Sequence, residues 1–188
     1  MTVMATKIML DPGHNGMTDP GAVYEGRRES DDVLHLAMAV GNILSQSGYD
    51  VEYTRTGNVA QSVTQKAQIA NQSGADLFVS FHRNMGSYPG QYEGVQTLLY
   101  DLSGLKLTMA ENINQNLEGI GFRNISVEAR PNLAVLRHTT MPALLLEVGF
   151  LDSTADNERF DTHFEEIAQA IADGIMDTLK DSPEETPA

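Results

Sequence analysis

Short apolar runs and spaced apolar sets take turns along this chain. Residues 7–10 form an apolar run that reads as a short strand, and it stops at Asp11-Pro12-Gly13-His14, where Pro and Gly force a turn. A loop of Gly, Asp and Pro follows. Val33, Leu36, Ala37, Val40 and Leu44 then fall at the spacing of one helix face, with Gly48 as its stop. Residues 49–54 alternate as a strand. Ser62, with Gln65 three residues later, gives a capping box for a second helix that Gly74 closes. Residues 77–82 and 95–100 read as strands, 105–117 as a third helix, and the apolar runs 133–136 and 143–151 as further strands. Phe164, Ile167, Ala168, Ile171, Ile175 and Leu179 share one face of a last helix.

Strands alternating with helices predict an α/β fold, a mostly parallel twisted sheet of about six strands with helices on both faces. A length of 188 residues suits one domain, expected over 1–180. Residues 181–188, Asp-Ser-Pro-Glu-Glu-Thr-Pro-Ala, have linker composition and are expected to lead into another module. Residues 1–7 hold neither a basic stretch nor an apolar core of signal-peptide length, so no export address is expected in this chain.

Composition narrows the chemistry. A formal net charge of −14 repels nucleic acid phosphates and anionic lipid, so neither nucleic acid nor membrane is expected as a partner. The absence of cysteine removes disulfides, thiolate ligands and a cysteine nucleophile. A tightly held metal would have to sit on His, Asp or Glu, which suits zinc in a catalytic site.

Sites in such sheets form at the carboxyl ends of the strands. His14 follows the first strand and His82 ends the third, where period two puts Phe78, Ser80 and His82 on one face. Each alone is an unremarkable polar residue at a turn. Glu147 interrupts the apolar run 143–151, where an ionised carboxylate is costly unless it is paired, hydrogen-bonded or near a metal. Glu29 precedes the first helix, where an acid is expected simply to suit the helix dipole. Together they make a chemical set. Two histidines and a carboxylate leave one coordination position of zinc open, and a further glutamate can take a proton from water there. The spacing is not HExxH.

These residues sit in an ordered series: Leu10-Asp11-Pro12-Gly13-His14-Asn15-Gly16, Asp19-Pro20-Gly21-Ala22, Glu29, Val51-Glu52-Tyr53-Thr54-Arg55, Val79-Ser80-Phe81-His82-Arg83-Asn84, Gly94-Val95-Gln96-Thr97, Leu136-Arg137, and Pro142 through Leu151. Over about residues 6–180 the chain resembles the zinc-dependent amidase_3 family of N-acetylmuramoyl-L-alanine amidases, found in bacterial autolysins, spore-wall hydrolases and phage endolysins. The resemblance implies one zinc on His14, Glu29 and His82, with Glu147 as the catalytic carboxylate. It further implies hydrolysis of the amide between N-acetylmuramic acid and the L-alanine of the peptidoglycan stem. The alternatives are another zinc amide hydrolase, a stem-peptide peptidase or a deacetylase, or an idle wall-binding module.

Some positions depart from the family pattern. Arg83 replaces a small residue; strand alternation points it away from His82, and it is expected at most to edit the groove. Asp152-Ser153 stands for Ser-Asn, and Lys66 for an arginine. His35 and His163 carry no expected role, His138 is a weak groove candidate, and Tyr88 and Tyr92 belong to a loop that either edges the cleft or is plain surface. The expected partner is peptidoglycan, met by a monomer at the cell wall after phage- or lysis-mediated release. The acidic surface leaves anchoring to a wall-binding module beyond the tail.

Overall fold

The computed structural model describes residues 5–181. Its elements run β1 (Lys7–Pro12), a small hairpin β2 (Val23–Tyr24) and β3 (Arg27–Arg28), α1 (Glu29–Gln46), β4 (Asp50–Tyr53), α2 (Val63–Ser73), β5 (Leu77–Asn84), β6 (Val95–Leu99), α3 (Gly104–Gly119), β7 (Asn124–Ala129), α4 (Ala134–Arg137), β8 (Ala143–Phe150), α5 (Thr154–Thr162) and α6 (Phe164–Asp181). Six strands pair in the order β4-β1-β5-β8-β6-β7. All pairs are parallel except β6 with β8, which run antiparallel. The expected α/β sheet is therefore present. Of the expected tail at 181–188, Asp181 ends α6 and the remainder lies outside the described residues.

Side-chain alternation splits the core in two. Ile8, Leu10, Val79, Phe81, Leu144, Leu146 and Val148 face α1, α3 and α6 in the larger layer. Met9, Phe78, Ala143 and Leu145 face α2 and α4 in the smaller one, against Ala70, Val135 and Leu136. The five apolar residues expected on one face of α1 are all buried. Ser62 and Gln65 form the reciprocal capping box of α2, and Gly74 ends that helix in the left-handed region. No helix of the described residues is long and apolar enough to cross a membrane.

The expected strand at 133–136 is instead the short helix α4. Periodicity cannot distinguish strand from helix in four apolar residues. Tertiary packing decides: as a helical turn the segment buries Val135 and Leu136 together in the smaller core layer with Met9, Ala70 and Phe78. The carbonyl of Leu133 instead accepts from the amides of Leu136 and Arg137. Four elements had no sequence expectation. The β2–β3 hairpin has two residues per strand, β7 is a half-exposed edge strand, and α5 buries only Asp156 and Phe160.

Candidate metal centre

The smaller layer changes character along its strands. Toward the carboxyl ends, Met9 gives way to Asp11 on β1, Phe78 to Ser80 and His82 on β5, and Leu145 to Glu147 on β8. One sheet face is thus apolar at one end and polar at the other. In the register, His82 is the partner of Glu147, and Glu147 is the partner of Gln96 on β6. The ladder slips between His82 and Asn84, immediately beside the site.

His14 is brought in by the turn after β1. Its φ is 59°, a left-handed backbone that costs a non-glycine residue on the order of 1–3 kcal/mol. Local bonds hold it there. Gly13 N–H donates to Phe81 O (2.9 Å), and the Asn15 side-chain oxygen accepts from the amides of Met17, Thr18 and Asp19. Two glycines let the chain pass this close. A Cβ at Gly13 would lie 2.5 Å from His82 Cε1, and one at Gly21 would lie 2.6 Å from Glu29 Oε2.

Glu29 opens α1 and is 4% exposed. One oxygen lies 3.0 Å from His14 Nε2 and the other 3.0 Å from His82 Nδ1. The amides of Ala22 (2.8 Å) and Arg83 (3.0 Å) also donate to this carboxylate, fixing its orientation. The imidazoles of His14 and His82 meet edge to face at 4.9 Å. Among the described residues, His14, Glu29 and His82 are the one group of three metal-ligating side chains placed to share an ion, with ligand atoms all within 4.8 Å of one another.

Two imidazole nitrogens and a carboxylate oxygen are donors suited to zinc. Asp19 Oδ2 sits 2.8 Å from His14 Nδ1, so a proton there leaves Nε2 as the donor atom facing Glu29. Glu147 lies outside the trio. It is partly exposed as a residue, but its Oε2 is enclosed and has no hydrogen-bond partner. An enclosed, unpartnered carboxylate oxygen beside such a trio fits a water held between them.

Charge follows from this packing. Burial opposes a positive His14, but hydrogen bonds and charge from Glu29 and then Asp19 outweigh it and raise the imidazole to about 9. Burial also opposes ionisation of Glu29, yet hydrogen bonds from His14 and His82, with their charge, hold it far below the usual carboxylate range. Glu147 has no such support. Burial pushes it up to about 7, with His82 pulling down and Glu29 pushing up.

Beneath the turn lies a buried pair. Asp11 accepts from Lys66 Nζ, Thr54 Oγ1 and Ser80 Oγ, each at 2.6 Å, and Lys66 also donates to Pro12 O. Burial opposes the Asp11 charge, and Lys66 with the two hydroxyls outweighs it, lowering the carboxyl. Lys66, noted only as a departure from the family pattern, thus braces the strand that delivers His14.

Other expectations are corrected. Arg83 does point away from His82, but it does not edit the groove. It is buried in the larger layer, 2.7 Å from Asp32 and stacked 4.3 Å from the Phe160 ring centroid. Its backbone N–H, not its side chain, touches the site. Glu29 does more than suit a helix dipole, since both its oxygens are engaged by imidazoles. His138 caps α4 ahead of β8, at the end of the sheet opposite His82, and does not line the groove. His35 is exposed, and His163 pairs locally with Glu166 at 2.6 Å. Tyr88 and Tyr92 are exposed, the latter against Phe150 at 5.7 Å, and the buried Asp152 carboxylate holds that loop through Gly86 N.

Sequence reasoning gave no role to Asp19 or Arg55, neither of which interrupts an apolar run, so nothing in the periodicity marked them. Asp19 supports a direct expectation. Asp19→Ala frees His14 Nδ1, and zinc affinity is expected to fall about 10–100-fold, the usual cost of losing such a partner. Competition with a chromophoric chelator measures it, and unchanged affinity would show that Asp19 does not orient the ring.

Comparison with known proteins gives this geometry a family. The family model described as N-acetylmuramoyl-L-alanine amidase matches residues 8–177. The N-acetylmuramoyl-L-alanine amidase CwlM of Bacillus licheniformis is 35% identical over 175 residues, covering 90% of this chain and 67% of that protein. An endolysin of Bacillus phage SPP1 is 33% identical over 186 residues, covering 94% of this chain and 67% of that protein. This chain spans about two thirds of the length of three of its curated relatives and 35% and 36% of two others. Among solved structures, an N-acetylmuramoyl-L-alanine amidase from Clostridium difficile 630 superposes with a TM-score of 0.88 at 28% identity, covering 95% of this chain and 99% of that one. Sequence match, fold and the order of elements agree: the chain belongs to the N-acetylmuramoyl-L-alanine amidase family.

Proposed function

We propose that this protein is a zinc-dependent hydrolase of bacterial peptidoglycan that cleaves the amide between N-acetylmuramic acid and the first L-alanine of the stem peptide, acting at the cell wall. The observation that carries this reading is the juxtaposition of a His14–Glu29–His82 trio with a separate, unpartnered carboxylate oxygen on Glu147. His14, Glu29 and His82 would hold the metal. Bound zinc supplies Lewis acidity, which brings the pKa of a water to about 7 and stabilises negative charge on the amide oxygen.

The chain's own residues account for the proton. Glu147, with no hydrogen bond to satisfy Oε2 and a carboxyl raised toward neutrality, is suited to accept a proton from the attacking water. It then returns that proton to the departing alanine amine, so base and acid are one group and the cycle closes without a covalent intermediate. Asp19 keeps the His14 tautomer, and Ala22 N–H and Arg83 N–H keep the Glu29 carboxylate aimed at both imidazoles.

Digestion of purified peptidoglycan tests the assignment. The expected products are free alanine amino termini and intact glycan strands that carry no stem peptide. New amino termini inside the stem would point to a peptidase, released acetate to a deacetylase, and binding without products to an idle wall-binding module.

A further inference from the structure

One guanidinium ties together the two segments that deliver His14 and Glu29. Arg55 lies just past β4 and is 3% exposed. It donates from Nε to Pro12 O (3.1 Å), from Nη2 to Gly13 O (2.9 Å) and Ser30 O (2.8 Å), and from Nη1 to Gly57 O (3.1 Å). Pro12 and Gly13 immediately precede His14, and Ser30 immediately follows Glu29. All four of these hydrogen bonds go to backbone carbonyls.

We propose that Arg55 is a positioning residue for the metal centre, which sets the separation of His14 and Glu29 and thereby the affinity for zinc. The proposal rests on the reading of His14, Glu29 and His82 as metal ligands. Three physical points support it. His14 has a left-handed backbone that relaxes unless held, and the carbonyls on its N-terminal side are two of the four acceptors. Glu29 arrives from α1, a different element, so β-sheet pairing does not fix its distance from the β1 turn. A guanidinium is a rigid planar fork whose donors point in set directions, so it fixes several acceptors relative to one another as an ammonium does not. Lys66 shows the contrast. Its ammonium also reaches Pro12 O, but it is neutralised by Asp11 and does not bond to α1.

The test uses Arg55→Lys and Arg55→Met, with Leu117→Ala, buried in α3 away from the site, as a control for general destabilisation. Lysine keeps the charge but cannot span both segments, so it separates geometry from charge. Zinc affinity is measured by chelator competition. Hydrogen exchange is followed in the metal-free protein at Gly13 and Ser30, whose amides bond to Phe81 O and Pro20 O.

Both Arg55 variants are expected to bind zinc about tenfold or more weakly, in line with loss of a group that orients a ligand. Exchange at Gly13 and Ser30 is expected to accelerate relative to α6. Leu117→Ala is expected to melt earlier, with zinc affinity and exchange at those two amides unchanged at temperatures where it is folded. Where Arg55→Met does not fold, Arg55→Lys decides. An Arg55→Lys protein with zinc affinity within about twofold of the parent, far short of that tenfold, and with parental exchange overturns the proposal. Failure of both variants to fold overturns it too, since Arg55 would then serve global stability. A parent protein that takes up no zinc sinks the metal reading instead, and the metal-free exchange still decides whether Arg55 holds the two segments.

Discussion

Glu147→Gln is expected to fold, to bind zinc as the parent does, and to turn over roughly 10²–10⁴-fold more slowly, the range that a positioned general base contributes. Glutamine keeps the size and shape of the side chain but cannot accept the proton. Folding should survive because the wild-type carboxylate is not half of a buried ion pair. Its Oε2 has no hydrogen-bond partner, so the substitution strands no cation. Zinc binding should survive because Glu147 lies outside the His14–Glu29–His82 group. The competing structural account makes the opposite forecast, a protein of lowered stability whose folded fraction works normally. Melting temperature, zinc content and amine release measured on one preparation separate the two. A stable, zinc-loaded variant with near-parental turnover would remove Glu147 from the mechanism.

The second large effect is loss of the metal. The purified protein is expected to carry about one zinc per chain, to lose activity on chelation and to regain it when zinc is returned. His14→Ala and His82→Ala should each lower zinc affinity by more than the roughly 10–100-fold that follows removal of an outer partner, because on the proposed reading each deletes a ligand outright. Glu29 faces one carboxylate oxygen to each imidazole, and the amides of Ala22 and Arg83 still hold that carboxylate when either ring is removed, so the two losses are expected to be largely independent. Retention of zinc and full activity by both alanine variants would place the metal elsewhere.

Periodicity alone determined a good part of this molecule. Wherever an element buries one full face, its pattern could be read: the apolar stripe of α1, the capping box and closing glycine of α2, the runs of β5 and β8, and the stripe of α6. Burial forces those residues to be apolar at the period of the backbone, so the signal is written into the chain. Elements that bury little wrote little. The edge strand β7, the helix α5 and the β2–β3 hairpin left no such pattern, and the four apolar residues at 133–136 fit either period until packing of Val135 and Leu136 into the smaller layer settled them as a helix turn.

The candidate site divides along the same line. Glu147 stood out because it interrupts an apolar strand run, where burying a charge is costly without a partner, whereas His14 and His82, unremarkable alone, gained weight as members of one set at the strand ends. Glu29 was the weakest member by itself, since an acid at a helix start is commonplace, and it gained its role beside the other three and in the family series. What held these residues in place was invisible locally. Asp19 orients a ring five residues away, Arg83 brings a backbone amide to Glu29 while its side chain turns to the other layer, and Arg55 joins carbonyls of two segments distant in sequence. Those contacts depend on distances between elements, which a one-dimensional pattern does not encode. The chain's own chemistry named the groups able to hold a metal and move a proton; only the packing of β1, α1, β5 and β8 decided that they meet.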